Sequence, residues 1–266
     1  MSGLYRSGNT LLSALLNQNP EIYVSPLSPL VEFMWQCHSS MDEAYIINPN
    51  KKNADHMISK MIENYYQEIE KPFVFDRSKA WLNPDNLFMI KKYIDPNPKI
   101  IFTIRPLREC IASILKIEQN KKFTNMQYNN SKKYNFISEN DNIVETILNG
   151  NIAGQWTGIN PYRILRYAHI SYSNKENLNN IHLVKYEDLV NTPENTMNNL
   201  YEFLGFNKFS HDFNNIERKE KELDNLIGRP GLHEIAKQIK PSTINPLDYM
   251  SQKMIDKCDE MDLFYK

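Results

Sequence analysis

Residues 3 to 10, GLYRSGNT, repeat the spacing of a phosphate-binding loop: a glycine, four residues, a second glycine, one residue and a threonine. Asn9 stands where nucleotide triphosphatases carry lysine. Such a loop binds anions through its backbone N–H groups and the N-terminus of the helix that follows, and a glycine at position 8 lets the backbone approach a phosphate closely. Arg6 lies inside the loop and can supply the missing charge nearer the first phosphate. Alone, the motif equally suits a glycine-containing strand-to-helix turn with a surface arginine. The stretch KIIFTIRPLRECIAS adds Arg105 at the C-terminal end of an apolar run, where open α/β sheets bind ligands. Ser113 follows in the next helix. Helical side chains lean toward the N-terminus, so it points back at Arg105 across roughly 10 Å, a gap that one arginine and one phosphate would fill. Either residue alone also fits an ordinary exposed position.

These groups need elements to hold them. LLSALL at 11 to 16 places apolar side chains on one helical stripe, ended by Pro20, so the loop opens a helix. Only a few residues precede the loop to form the strand that should feed it; the start is either naturally short or lacks a few residues. FVFD (73–76), KIIFTI (99–104) and IHLVKY (181–186) predict buried strands. Helical spacing at 54 to 70, 85 to 94 and 107 to 117 falls between them, and this rhythm predicts a parallel sheet covered on both faces. TPENTMNNLYEFLG (192–205) predicts a helix with Thr192 as N-cap, Pro193 at its first position, Met197, Leu200, Tyr201 and Leu204 buried, and Gly205 at its exit. Residues 119 to 141 lack an apolar period and predict a long surface loop. No internal repeat is present.

Three segments resemble motifs of the sulfotransferase family. GLYRSGNTLLSALLNQNPEIYVS resembles its 5′-phosphosulfate loop, R-P-x-R-x-x-x-x-S its 3′-phosphate motif, and VKYEDLVNTPENTMNNLYEFLGF its Y-E-D-L segment and following helix, in order over residues 3 to 206. The branches it looks most like are bacterial, phage and Golgi-type enzymes, the tyrosylprotein enzymes among them. The resemblance implies a P-loop NTPase-like fold in one domain spanning residues 1 to 266. It also implies transfer of a sulfuryl group from 3′-phosphoadenosine 5′-phosphosulfate, leaving adenosine 3′,5′-bisphosphate. Arg6, Ser7, Gly8, Asn9, Thr10 and Leu11 would hold the 5′-phosphosulfate, Arg105 and Ser113 the 3′-phosphate, and Tyr186 would lie near the nucleotide. Tyr5 stands where the family usually has proline and Asn9 where it usually has serine or threonine, and neither change removes a backbone donor.

The acidic residue that the tyrosylprotein branch places after its first helix has no counterpart in SPLSPL, so the general base is chosen by chemistry. In-line attack needs a base for the acceptor's proton and positive charge on the leaving phosphate. Arg6 suits the second task. Asp76, ending the strand before the one that carries Arg105, suits the first, with Arg77 or Lys79 on the sulfuryl oxygens; Glu32 and His38 are rivals, and a turn-capping role fits Asp76 as well. IGRPGLHEIAKQIKPS (227–242) reads as a basic loop bearing Arg229, His233, Lys237 and Lys240. The resemblance makes Arg229 a second contact to the 3′-phosphate. Trp81 and Trp156 suit core positions.

The whole chain sets outer bounds. Its 266 residues, 41% hydrophobic and 11% aromatic, suffice for one well-buried domain. Lysine plus arginine (31) nearly cancels aspartate plus glutamate (32), which gives no global field for a nucleic-acid backbone or an anionic membrane. No run of eighteen apolar residues and no secretory leader is present, so neither membrane insertion nor export is expected. Three scattered cysteines and a cytoplasmic, reducing setting go together. The histidines lack metal-ligand spacing, and no catalytic metal is expected. Sugar, lipid headgroup, peptide tyrosine and small metabolite all stay open as acceptors, and a P-loop kinase or a non-catalytic nucleotide-binding protein are the alternative readings.

Overall fold

The computed structural model describes residues 1–44, 51–120, 136–149, 161–219, 224 and 232–265. The chain opens with β1 (Ser2–Gly3), α1 (Asn9–Leu16), β2 (Ile22–Leu27), α2 (Leu30–Ala44), α3 (Lys51–Ser59), α4 (Met61–Tyr65), β3 (Phe73–Arg77) and α5 (Pro84–Tyr93). It continues with β4 (Ile100–Ile104), α6 (Leu107–Asn120), α7 (Phe136–Asn149), α8 (Pro161–Ser173), β5 (Ile181–Lys185), α9 (Tyr186–Asn191), α10 (Pro193–Leu204) and α11 (Gln252–Met261). All strand pairs are parallel: β1 beside β4, β4 beside β5, and β2 beside β3. The Ser78 N–H donates to the Met1 carbonyl at 3.1 Å and ties the end of β3 to β1. In space, therefore, β1 stands between β3 and β4.

The expected α/β architecture is present, and its centre is the apolar run at 100 to 104. Every residue of β4 is buried. Alternation sends Ile100, Phe102 and Ile104 into one core, with residues of α2, α5, α6, α8 and α11, and Ile101 into the other, with residues of α1 and α10. Each fully buried side chain of this size contributes roughly 1.5–3 kcal/mol. β1 pairs through Ser2 and Gly3, opposite Phe102 and Thr103.

Several expectations need correction. β2 escapes a pattern search because Pro26 interrupts it; among the described residues the strand pairs only with β3, and its register shifts between Val24 and Leu27, as proline permits at a sheet edge. The helical stretch placed at 54 to 70 is two helices, α3 and α4. Helix α6 runs on to Asn120 and α7 begins at Phe136, so the ends of the predicted 119–141 loop are helical; 121–135 lie outside the described residues. Thr192 precedes α10 as expected, but its side chain does not cap: it also closes α9, and its hydroxyl donates to the Asp188 carbonyl at 3.1 Å. Gly205 ends α10 in the left-handed region (φ 76°), with the Phe206 N–H returned to the Tyr201 carbonyl at 2.9 Å.

Candidate functional site

The loop between β1 and α1 is shaped by close approach. A Cβ at Gly3 would stand 2.0 Å from Thr103 Oγ1, and one at Gly8, whose φ is +93°, would stand 2.9 Å from the Tyr186 ring. Ser7 is buried beneath the loop, donating to the Leu4 carbonyl at 2.8 Å and lying 2.6 Å from Thr103 Oγ1. Asn9 Nδ2 closes the turn on the Leu4 carbonyl at 2.9 Å. Gly8 offers no side-chain cap, and the first helical bond runs from Leu12 N–H to the Gly8 carbonyl. The N–H groups of Asn9, Thr10 and Leu11 consequently have no partner within the helix, and these residues line a cavity of about 260 Å³.

Arg6 and Arg105 both line that cavity. Arg6 is the one non-glycine residue with positive φ (61°) among the described residues, a backbone costing roughly 1–2 kcal/mol for an L-residue. It is held there because Arg105 Nη1 donates to its carbonyl at 3.2 Å. The Arg6 guanidinium donates to Ser113 Oγ at 3.1 Å and the Leu232 carbonyl at 2.5 Å; among the described residues no carboxylate pairs with it. Burial first, then the neighbouring Arg105, pushes its pKa below the usual arginine value. Arg105 is buried and bonds Glu109 at 3.0 Å and Ser242 Oγ at 2.7 Å, with its guanidinium carbon 4.3 Å above the Tyr186 ring. A buried and a half-buried guanidinium side by side, with Glu109 the carboxylate bonded to Arg105, make a site suited to an anion.

The expected nucleotide residues Arg6, Gly8, Asn9, Thr10, Leu11, Arg105 and Tyr186 thus meet in one cavity. Ser113 is close by, but its hydroxyl faces Arg6 rather than Arg105. Arg229 lies outside the described residues, as does Trp156. Arg77 and Lys79 line the cavity, and Lys79 Nζ sits 3.2 Å above the Tyr5 ring, so the residue standing in place of proline serves as a platform for that ammonium.

Asp76 is placed elsewhere. Its carboxylate accepts from Tyr66 Oη and Trp81 Nε1, each at 2.6 Å, and from Ser28 Oγ, and it is not among the residues lining the cavity. The end of β3 does reach the cavity, through Arg77 and Lys79, but the Asp76 side chain turns away from it toward Ser28, Tyr66 and Trp81. Glu32 is also outside the lining; burial, and then Asp76, pushes its carboxyl up. His38 Nδ1 is 2.9 Å from the Tyr93 hydroxyl, away from the cavity.

The described part of the 227–242 segment, expected as a basic loop, completes the wall. The C-terminal segment brings the Leu232 carbonyl, Ser242 and Lys240 over the loop. His233 lines the cavity with Nδ1 2.6 Å from Asp224 Oδ1, and its backbone N–H donates to Asp224 Oδ2 at 3.0 Å. Burial lowers the imidazole pKa from its ordinary value, against the opposing pull of Asp224. For Asp224, burial pushes upward, but the two His233 bonds outweigh it and leave the carboxyl below its usual range. The sequence marks His233 and Lys240 only as members of a basic loop; no periodicity or short spacing pairs His233 with Asp224 or marks Leu232 and Ser242. Among the described residues no cluster of three or more histidine, cysteine or acidic side chains could hold a metal, and no helix is long and apolar enough to cross a membrane.

Comparison with known proteins adds the family. No curated protein matches the chain. Two solved structures are similar at 16% identity: a sulfotransferase domain from the Synechococcus PCC 7002 olefin synthase (TM-score 0.48, 97% of this chain, 91% of that one) and one from the curacin biosynthetic pathway (TM-score 0.44, 100% and 93%). The sulfotransferase family profile matches residues 1–210, which hold the β1–α1 loop, Arg105, Ser113 and Tyr186. With the match spanning most of its length, the chain belongs to the sulfotransferase family.

Proposed function

We propose that this sulfotransferase takes its sulfuryl group from 3′-phosphoadenosine 5′-phosphosulfate and passes it to a hydroxyl or amine. The observation that carries the reading is the convergence of Arg6 and Arg105 on one cavity at the open N-terminus of α1. Two cations and a set of free N–H groups suit a ligand with phosphates at both ends of one nucleoside, and Arg6 stands in for the lysine of a triphosphate loop. The N–H groups of residues 9 to 11 would hold the 5′-phosphosulfate; Arg105, beside Tyr186, would hold the 3′-phosphate. Arg6 would offset charge on the departing phosphate, and Arg77 and Lys79 would face the sulfuryl oxygens. A single domain and a reducing, cytoplasmic setting are part of the same proposal, the latter resting on Cys37, Cys110 and Cys258, all free thiols.

Thermal unfolding with adenosine 3′,5′-bisphosphate tests the reading. The bisphosphate raises Tm in the absence of magnesium, and ATP with magnesium raises it far less. The opposite order would point to a kinase and remove the proposal.

A further inference from the structure

Resting on the sulfuryl-transfer reading, we infer that His233 takes the proton of the acceptor hydroxyl and that Asp224 positions it. His233 lines the cavity and follows Leu232, whose carbonyl receives the Arg6 guanidinium at 2.5 Å, so the residue stands in the same cavity as the cation assigned to the leaving phosphate. Asp224 holds the residue at two points, Nδ1 at 2.6 Å and the backbone N–H at 3.0 Å. A carboxylate there accepts the Nδ1 proton and leaves Nε2 as the nitrogen with a lone pair. The charged groups around the ring are Asp224, Lys79, Arg218, whose Nη1 donates to the His233 carbonyl at 2.8 Å, and Arg6 beyond Leu232. The cations and burial keep the imidazole neutral before reaction, as a base must be, while Asp224 stabilises the imidazolium that forms. Asp76 lacks this freedom, because three donors already occupy its carboxylate.

In the step, the acceptor oxygen bonds to sulfur as its proton passes to His233 Nε2. The bond between sulfur and the 5′-phosphate oxygen breaks, and its electron pair stays on the phosphate beside Arg6. The proton later leaves the imidazolium for water.

The full-length chain is assayed with 3′-phosphoadenosine 5′-phosphosulfate and two acceptors. Phenol keeps its proton to about pH 10, as tyrosine does; p-nitrophenol is already ionised in mildly alkaline buffer and needs no base. His233→Gln lowers kcat/KM with phenol by roughly 100-fold and with p-nitrophenol far less. The bisphosphate still raises the Tm of this variant as it does that of the wild type. Asp224→Asn moves the acid limb of the kcat/KM profile to lower pH, because the imidazolium loses its anion. Equal losses with both acceptors, or an unmoved acid limb, in an enzyme that turns over would overturn the base assignment alone. A wild type that binds the bisphosphate yet transfers sulfate to neither phenol, nor to a sugar, a lipid headgroup, a peptide tyrosine or an amine, and releases no sulfate removes the transferase reading and the base role with it.

Discussion

Arg105 makes contacts that divide its functional role from its structural one. It bonds Glu109, Ser242 and the Arg6 carbonyl, so replacing it removes both a cation for the ligand and a brace for the loop. Comparing two ligands separates these effects. Arg105→Ala should weaken adenosine 3′,5′-bisphosphate by roughly 10- to 100-fold, the size of a charge-assisted hydrogen bond, and adenosine 5′-phosphate much less, measured by calorimetric titration. Equal weakening would mean that Arg105 acts only as the brace. This residue was legible in the sequence because a cation at the end of a buried strand has a fixed place in a parallel sheet. Ser113 was legible in position but not in partner, since Arg6 reaches it across the cavity wall from 107 residues away.

At the scale of elements, two helix-end glycines give a controlled comparison. Gly8 opens α1 at φ +93° against the Tyr186 ring, and Gly205 closes α10 at φ +76° with nothing within 4 Å of a would-be Cβ. Gly205→Ala should cost about 1 kcal/mol of stability from backbone conformation alone and leave bisphosphate affinity unchanged. Gly8→Ala should cost more and abolish binding, because the ring or the loop must move; denaturant unfolding and the same titration read both. The segment after α10 carries a pH-dependent element. His211 packs against Tyr201, Phe209 and Phe213, with ring centroids 4.9 to 6.0 Å away. Burial lowers its pKa from 6.5 to about 4, a contact with the Leu15 backbone offsetting this in part. Between those values the unfolded chain binds the proton and the native chain does not, so His211 makes stability fall as pH drops from 6.5 toward 4 and adds no slope above. His211→Phe should flatten the curve of Tm against pH in that window; an unchanged slope would remove His211 as its source.

For the molecule as a whole, the two cores share β4, so neither can melt while the other keeps its packing. A single cooperative transition is expected by calorimetry, with and without ligand. At 100 times its Kd the bisphosphate adds about 2.7 kcal/mol, which corresponds to roughly 5–10 °C in Tm for a chain of this size. Two separable transitions, only one of them moved by ligand, would contradict a single domain.

The sequence by itself determined the glycine loop opening a helix, the arginine at a strand end, the parallel α/β rhythm and the helix at 193 to 204. Each of these is a local matter, written in glycine placement, in an apolar period of two or 3.6 residues, or in a cap. The tertiary structure alone decided that β1 lies between β3 and β4, that the Asp76 side chain turns out of the cleft its neighbour Arg77 lines, and which groups the C-terminal segment delivers as it folds back over the loop. That return brings Leu232 to Arg6, Ser242 to Arg105, and the Asp224 and His233 pair into the cavity. Such neighbours are fixed by the burial of a whole sheet, whose strand order no spacing within a short window can encode.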